Sequence, residues 1–257
     1  MKFHLVTCAY VKAPSFLVGH SGNLSVDLPV RYGVIEHPDC GPIVVDGGYS
    51  PRMFDIKGSF LFETYKKTLQ IQFCKDRSVA KVLDALGYET NDVREAVLTH
   101  LHADHLGFMN EIPKARFTLS KKAYHLRSAR HGVFEELIPP LFSGRINLIS
   151  PRSDVLSEEH LHRCEIFPDV YAVSLPGHGA GHIGLWLPRV GDGVLYAADA
   201  AWTRAELKGE KTAWLSKFVS HNVRENVRTK IWLSDLDKQI YLCHEPGVTP
   251  FDFEGVL

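Results

Sequence analysis

The densest chemistry in this sequence lies in nine residues, Thr99-His100-Leu101-His102-Ala103-Asp104-His105-Leu106-Gly107. Three imidazoles and a carboxylate stand within six positions. Imidazole nitrogen and carboxylate oxygen are donors that suit zinc, manganese, iron or cobalt. In an extended segment, residues two apart share one side, so His100 and His102 can grip one ion together. Asp104 and His105 fall where the chain turns, and they reach a second position. A lone histidine is usually structural, but this density with glycine at the exit points to a metal site. Four groups from one segment leave two ions short of ligands, so others must come from elsewhere. Three candidates share a placement, each just after an apolar run. Val170–Leu175 leads to Pro176-Gly177-His178, Val194–Ala198 leads to Asp199, and Ile240–Cys243 leads to His244. Side chains at strand ends converge at one edge of an α/β domain.

The elements that must position these groups follow from hydrophobic patterning. Residues 3–11, 29–36, 42–46 and 93–99 read as strands, as do the three apolar runs above. The pattern over 76–87 predicts an amphipathic helix, with Val79, Val82, Leu83 and Leu86 on one face and Gly87 as its stop. A helix is expected to open just past His102, and residues 120–131 and 222–236 also have helical patterning. Short strands mixed with helices indicate the α/β class. Residues 50–75 and 132–168 have weak periodicity. The first carries Phe54, Phe60, Phe62, Tyr65 and Phe73. Both are read either as extra core and loops or as a substrate lid or subunit interface. A homodimer is compatible with those aromatics.

Composition sets the outer limits. The chain has 257 residues, 45% of them hydrophobic, with 29 Lys plus Arg against 30 Asp plus Glu. That is enough apolar material for a sizeable core, and the length suits one large domain spanning 1–257 or two small ones. The formal charge of -1 gives no concentrated positive field for nucleic acid or an anionic membrane. No apolar run approaches the roughly 20 residues that span a bilayer. The opening MKFHLVTCAYVKAP reads as a first strand rather than a signal peptide. Cys8, Cys40, Cys74, Cys164 and Cys243 form no CxxC pair, so reduced thiols and a cytoplasmic setting are expected.

With these residues in view, the sequence resembles the metallo-β-lactamase superfamily over nearly its whole length, from Val44-Val45-Asp46-Gly47-Gly48 to His244. The resemblance rests on HxHxDH at 100–105, PGHGAGH at 176–182, Asp199 and His244. It implies an αββα sandwich, two mixed sheets flanked by helices. It also implies two divalent ions, zinc foremost. His100, His102 and His178 would hold the first, Asp104, His105 and His244 the second, and Asp199 would bridge them. Among the branches, β-lactamases proper generally lack the bridging aspartate. Flavodiiron proteins usually carry an acidic residue where His102 stands. The superfamily's RNA-processing nucleases have an added domain or arm. Glyoxalase II usually ends in a helical glutathione-binding region, and 13 residues follow His244 here. The chain is most similar to the N-acyl homoserine lactonases. It departs from many of them at Trp202, where they carry a tyrosine that binds substrate. Indole offers an N–H donor but no phenolic hydroxyl. Tyr49 and Tyr196 are candidate replacements, and Trp202 is read either as a substrate contact or as core.

The expected chemistry is hydrolysis of a small ester or lactone, with an acyl homoserine lactone in quorum quenching as one candidate substrate. A hydroxide between ions about 3.5 Å apart would attack the carbonyl, and Asp104 would pass its proton to the leaving oxygen. The same ligands would also serve thioesters or phosphate esters. A slow-turnover binding or regulatory protein, docking a partner through the aromatic segments or around Trp214 and Phe218, is a third reading. His182 is read as orienting a ligand or as structural. Asp46 is expected to fix the Gly47-Gly48 turn and support the metal loop. His20, His125, His131, His160, His162 and His221 are read as surface residues.

Overall fold

The computed structural model describes residues 1–257 except 21–23, 128–131, 139–141, 143, 153–155, 212 and 256–257. The chain opens with a long antiparallel pair, β1 (Lys2–Pro14) and β2 (Ser25–His37), in register from Lys2 against Glu36 to Pro14 against Ser25, with one shift between Thr7 and Ala9. Strand β3 (Gly41–Val45) follows on the other side of β2. Helix α1 (Phe60–Thr68) and the short β4 (Ile71–Phe73) come next, with β4 on the outer edge of β1. Helix α2 (Val79–Ala85) leads to β5 (Glu95–Val97), β6 (Arg116–Ser120), α3 (Lys121–His125) and β7 (Ile146–Ile149). These strands make a sheet ordered β4-β1-β2-β3-β5-β6-β7, antiparallel up to β3 and parallel beyond it.

The second sheet is ordered β12-β11-β10-β9-β8, from β8 (Glu165–Phe167), β9 (Val170–Ser174), β10 (Ile183–Leu187), β11 (Val194–Ala198) and β12 (Gln239–Leu242). Helices α4 (Arg204–Leu207), α5 (Trp214–Val219) and α6 (Val223–Asp235) lie between β11 and β12 in sequence. Strand alternation divides the apolar side chains between two layers. Val194, Tyr196 and Ala198 of β11 face the first sheet and pack with Phe3, Leu5, Ile35, Val45 and Val97. Leu195 and Ala197 face the other way, with Leu207 of α4 and Leu233 of α6. On the far side of the first sheet, Val6, Val34, Val44 and Ala96 pack with Phe62 of α1 and Val79, Val82 and Leu83 of α2. Two mixed sheets flanked by helices are the αββα sandwich.

Local signals explain the helix starts. Ser59, Ser78 and Asn222 each cap the helix that follows by accepting a first-turn backbone N–H. Two readings need correction. The helix expected just past His102 is only a 3-10 turn, Ala103–His105. The N–H groups that would continue it go elsewhere, Gly107 N–H to Gly48 O at 2.8 Å and Phe108 N–H to Gly47 O at 3.0 Å. A Cβ on Gly107 would meet Ser50 N at 2.3 Å, so only glycine permits this approach. The helical pattern over 120–131 produces α3 alone, and its end at 128–131 lies outside the described residues. The weakly patterned 50–75 segment holds α1 and β4, and 132–168 holds β7 and β8.

Helix α6 braces the loops that follow β9 and β11. Thr229 Oγ1 donates to Pro176 O at 2.7 Å, and Asn226 Nδ2 donates to Ala200 O at 2.9 Å. Lys230 Nζ meets Glu206 Oε1 at 2.9 Å, while Glu206 Oε2 accepts Trp202 N–H at 2.8 Å. Lys230 and Glu206 are 7% and 4% exposed, so removing one partner strands the other's charge in the interior. Lys230→Met is expected to cost about 3–5 kcal/mol in urea unfolding. The Glu206→Gln, Lys230→Met double variant should recover part of that loss, because it removes both charges.

Candidate metal centre

Five strand ends meet at one edge of the sandwich. Strand β3 leads into Asp46, β5 into Thr99 and His100, β9 into His178, β11 into Asp199 and β12 into His244. Asp46 and Ala198 both hold left-handed backbone, at φ 60° and φ 46°. L-residues with a Cβ adopt this conformation rarely, and it clusters at functional turns. Asp46 secures its turn by accepting from Thr99 N–H and Thr99 Oγ1, both at 2.8 Å. Gly177, at φ 126°, sits where a Cβ would meet Asn226 N at 2.0 Å, so the His178 loop lies directly on α6. His221 N–H then holds His178 O at 2.8 Å.

The structure brings all seven ligand-type residues together. His178 Nε2 lies 3.0 Å from His102 Nδ1, and the His100 and His102 rings are 4.4 Å apart. The donor atoms of His100, His102 and His178 all lie within 4.8 Å of one another, as do those of His105, Asp199, Cys243 and His244. Asp104 joins the second group, its Oδ2 3.2 Å from His244 Nε2 and its Oδ1 3.7 Å from His105 Nε2. Asp199 stands between the two groups. Its Oδ2 is 3.4 Å from His178 Nε2 and 3.1 Å from His244 Nε2, and its Oδ1 is 3.5 Å from His105 Nε2.

The outer nitrogens of His244, His105 and His100 face polar groups, while His102 Nε2 and His178 Nδ1 have no hydrogen-bond partner. His244 Nδ1 sits on Pro29 O at 2.8 Å, His105 Nδ1 lies 2.9 Å from Asp46 Oδ2, and His100 Nδ1 lies 3.0 Å from Thr99 Oγ1. Metal-binding imidazoles need this kind of support to fix ring orientation. The inward atoms His100 Nε2, His105 Nε2 and Asp199 Oδ1 are buried with no hydrogen-bond partner. Buried polar atoms are normally satisfied, and a cation meets the demand of these three. The cluster can therefore coordinate one or two divalent metal ions. Thr99→Val removes the hydroxyl joining Asp46 to His100. Metal affinity is expected to fall about 10–100-fold in competition with a chromogenic chelator.

Electrostatics separates the rings into two kinds. Burial, with the neighbouring imidazoles, holds His100 and His102 well below the ordinary histidine range. Both are neutral and offer lone pairs. Burial opposes charge on His105 too, but Asp46, Asp104 and Asp199 override it and hold that ring well above its ordinary value. His244 is likewise raised, burial being outweighed chiefly by Asp199. Burial also works against the Asp199 carboxylate, yet His244 and His105 hold it well below the usual range. A cation that enters replaces these protons as the partner of the carboxylates.

Neighbouring residues sort themselves by contact. His182 is buried with Nδ1 on Leu175 O at 3.1 Å, and burial pushes it down to about 3. His160, read as a surface residue, is buried instead, its Nε2 3.1 Å from Ser174 O. The EEHLH turn places it inward under β9, which its polar flanks conceal in sequence. His162 is exposed and accepts from Trp186 Nε1 at 3.1 Å. His131 lies outside the described residues. Tyr196 is fully buried between the sheets. Cys243, whose thiol the sequence presents as one of five scattered cysteines, closes on the second group and donates to Arg31 O at 3.3 Å. All five cysteines are free.

A cavity of about 360 Å³ opens over the cluster. His102, Asp104, Asp199 and His244 form its floor, and Trp202 and Tyr49 stand beside them. The Trp202 ring lies 5.5 Å from that of His244, and its buried Nε1 has no hydrogen-bond partner. Val11, Val18, Leu28, Leu69, Leu215 and Val219 make an apolar wall. Tyr65 of α1 joins from the weakly periodic 50–75 segment, whose aromatics the sequence reads either as core and loops or as a substrate lid or interface.

Residues 26–244 match the family model described as the metallo-beta-lactamase superfamily. The chain belongs to that superfamily. Within it, the chain is related to the N-acyl homoserine lactonases. It is 24% identical over 186 residues to an N-acyl homoserine lactonase of Bacillus thuringiensis, covering 72% of this chain and 69% of that protein. It is 27% identical over 241 residues to a probable metallo-hydrolase of Mycobacterium tuberculosis, covering 84% and 74%. Its fold matches that of an N-acyl homoserine lactone hydrolase solved with N-hexanoyl-L-homoserine at the catalytic metal centre. The TM-score is 0.72 at 20% identity, over 95% of this chain and 93% of that one. The superfamily fold and the donor cluster together make the protein a metallohydrolase. No helix among the described residues is long and apolar enough to cross a membrane.

Proposed function

We propose that the protein is a dinuclear metal-dependent lactonase whose substrate carries an apolar acyl chain. The observation that carries this reading is the cavity itself, with ligand-type side chains at its floor and an apolar wall leading away. Its volume suits a small amphiphilic molecule. Lys12 is the only lysine or arginine among its described lining residues, which disfavours an anionic phosphate ester. The kinship to acyl homoserine lactonases supports the same substrate class.

In this reading His100, His102 and His178 hold one ion, Asp104, His105 and His244 hold the other, and Asp199 is shared. Zinc is the ion that such a set suits best, with manganese, iron and cobalt also acceptable. Bound there, divalent ions activate water near neutral pH and polarise a carbonyl oxygen. The remaining steps belong to the chain. The apolar wall seats the acyl tail and excludes water from it. The Trp202 Nε1–H donates to an oxygen of the substrate head. The Asp104 carboxylate takes the proton of the attacking water and passes it to the ring oxygen as the carbonyl–oxygen bond breaks. One lactone and one water become one hydroxy acid. The α1 segment, which supplies Tyr65, Thr68 and Leu69 to the cavity, acts as its side wall or lid.

Proton release by metal-replete protein tests this reading, with N-butanoyl and N-decanoyl homoserine lactones beside simple γ- and δ-lactones. Turnover should vanish on chelation and return with metal. KM should fall as the chain lengthens, by up to about fourfold per buried methylene, corresponding to about 0.8 kcal/mol. Absence of turnover in protein that retains its metal would sink the lactone reading. Thioesters and phosphodiesters would then be tried. Retention of one product equivalent without turnover would favour a binding protein.

A further inference from the structure

Two phenols 16 residues apart in sequence meet in the cavity. Tyr49 follows β3, and Tyr65 lies on α1. Their hydroxyls are hydrogen-bonded to each other. Both residues line the same cavity as Asp104, Asp199 and Trp202. Each phenol owns one proton and can also accept. The mutual bond consumes one of the two protons. Neither hydroxyl makes another hydrogen bond among the described residues, so the pair retains one donor.

That donor is held rigidly. Gly47 O and Gly48 O, just before Tyr49, accept the N–H groups of Phe108 and Gly107 at 3.0 Å and 2.8 Å. The loop bearing Asp104 and the loop bearing Tyr49 are therefore one hydrogen-bonded unit. Tyr65 rests on Phe134 with ring centroids 4.8 Å apart, and Phe62 packs on the same Phe134 ring at 5.2 Å. Helix α1 is tied down by Lys66 Nζ on Ile56 O at 2.7 Å and by Ser59 N–H on Glu136 Oε1 at 2.7 Å. Burial pushes both phenols upward from their ordinary range, with Asp104 adding to the effect, so both keep their protons at neutral pH.

We infer that the Tyr49–Tyr65 pair is a substrate-binding donor, presenting a single phenolic proton to an acceptor oxygen of the substrate head. It lines the same cavity as Trp202. The inference rests on the reading of the cavity as the substrate site. The two hydroxyls act as a unit. Loss of either phenol frees the proton of the other, so one donor remains, and only loss of both removes it.

The experiment compares wild type, Tyr49→Phe, Tyr65→Phe and the double variant, all metal-replete with metal content measured. Phenylalanine keeps the Tyr65 ring on Phe134 and the Tyr49 ring in the apolar core, so the fold is retained. Calorimetry with N-decanoyl homoserine, the stable ring-opened acid, reads binding. Steady-state turnover of N-decanoyl homoserine lactone reads kcat and KM separately. Each single variant keeps one phenolic proton and should bind less than about threefold more weakly, the loss being that of the partner that orients it. The double variant has no phenolic donor and should bind about tenfold more weakly, the size of one good hydrogen bond. Metal content should not change. Unchanged binding in the double variant, or losses that track metal content, would each overturn the inference. If wild type binds the acid through the tyrosines but turns over no lactone, the donor stands and the lactonase reading falls. If wild type does neither, both fall.

Discussion

Asp199→Ala is expected to empty the centre of its shared ligand and bring hydrolysis down to background. Asp199 alone touches both donor groups, through Oδ2 to His178 and His244 and through Oδ1 to His105. Among the described residues no other carboxylate stands in that position. Asp104 contacts His105 and His244, and Asp46 contacts His105 from behind. In the proposed dinuclear reading, alanine would cost each ion a ligand and remove the carboxylate between them. Elemental analysis after dialysis should find the metal content falling from about two ions per chain to one or fewer. Retention of two ions with native turnover would mean that the two groups do not form a dinuclear centre. His102→Ala should lose metal and activity together for the same reason, since His102 Nδ1 is within 3.0 Å of His178 Nε2.

Asp104→Asn separates holding metal from moving protons. The amide keeps the shape of the carboxylate and one oxygen donor, so most of the metal should stay. It cannot accept a proton, and the rate should fall by about 10²- to 10⁴-fold, the usual contribution of a positioned acid–base group. The carboxylate is suited to that work because it is the more exposed of the two carboxylates on the cavity floor, 15% where Asp199 is 2%. The loss should appear in kcat at nearly constant metal content. A variant whose rate falls only in proportion to its metal would assign Asp104 to coordination alone.

The legible part of this protein is the part written in short range. His100, His102, Asp104 and His105 sit within one turn-length of each other, so their types and spacing announce a metal site before any fold is known. The placement of His178, Asp199 and His244 after apolar runs is legible too, because a buried strand leaves a continuous apolar run and its end is marked by the first polar residue. The strands β1, β2, β3, β9, β11 and β12 and the helices α2 and α6 follow from the same periodicities, with boundaries moved by at most four residues. Where the backbone finds a distant partner, local patterning misleads. The residues after His102 look helical, yet their N–H groups serve Gly47 and Gly48. His160 looks exposed beside Glu158 and Glu159, yet it is buried under β9 with its ring on Ser174 O.

The sequence by itself determined the donor chemistry, the α/β class and the positions at which ligand-type side chains leave the strands, and its family resemblance implied the αββα sandwich. Only the tertiary structure decided which of those positions meet. Sheet order sets β3 beside β5 and β11 beside β12, and that adjacency brings Asp46 to His105 and Asp199 to His244. The substrate cavity was decided in the same way, with Val11 and Leu28 from the first hairpin, Tyr65 from α1 and Leu215 from α5. Each of those residues is an ordinary apolar or aromatic position in its own segment. Contacts across 50 or 200 residues carry no local period, so they arise only when the two sheets close on their shared core.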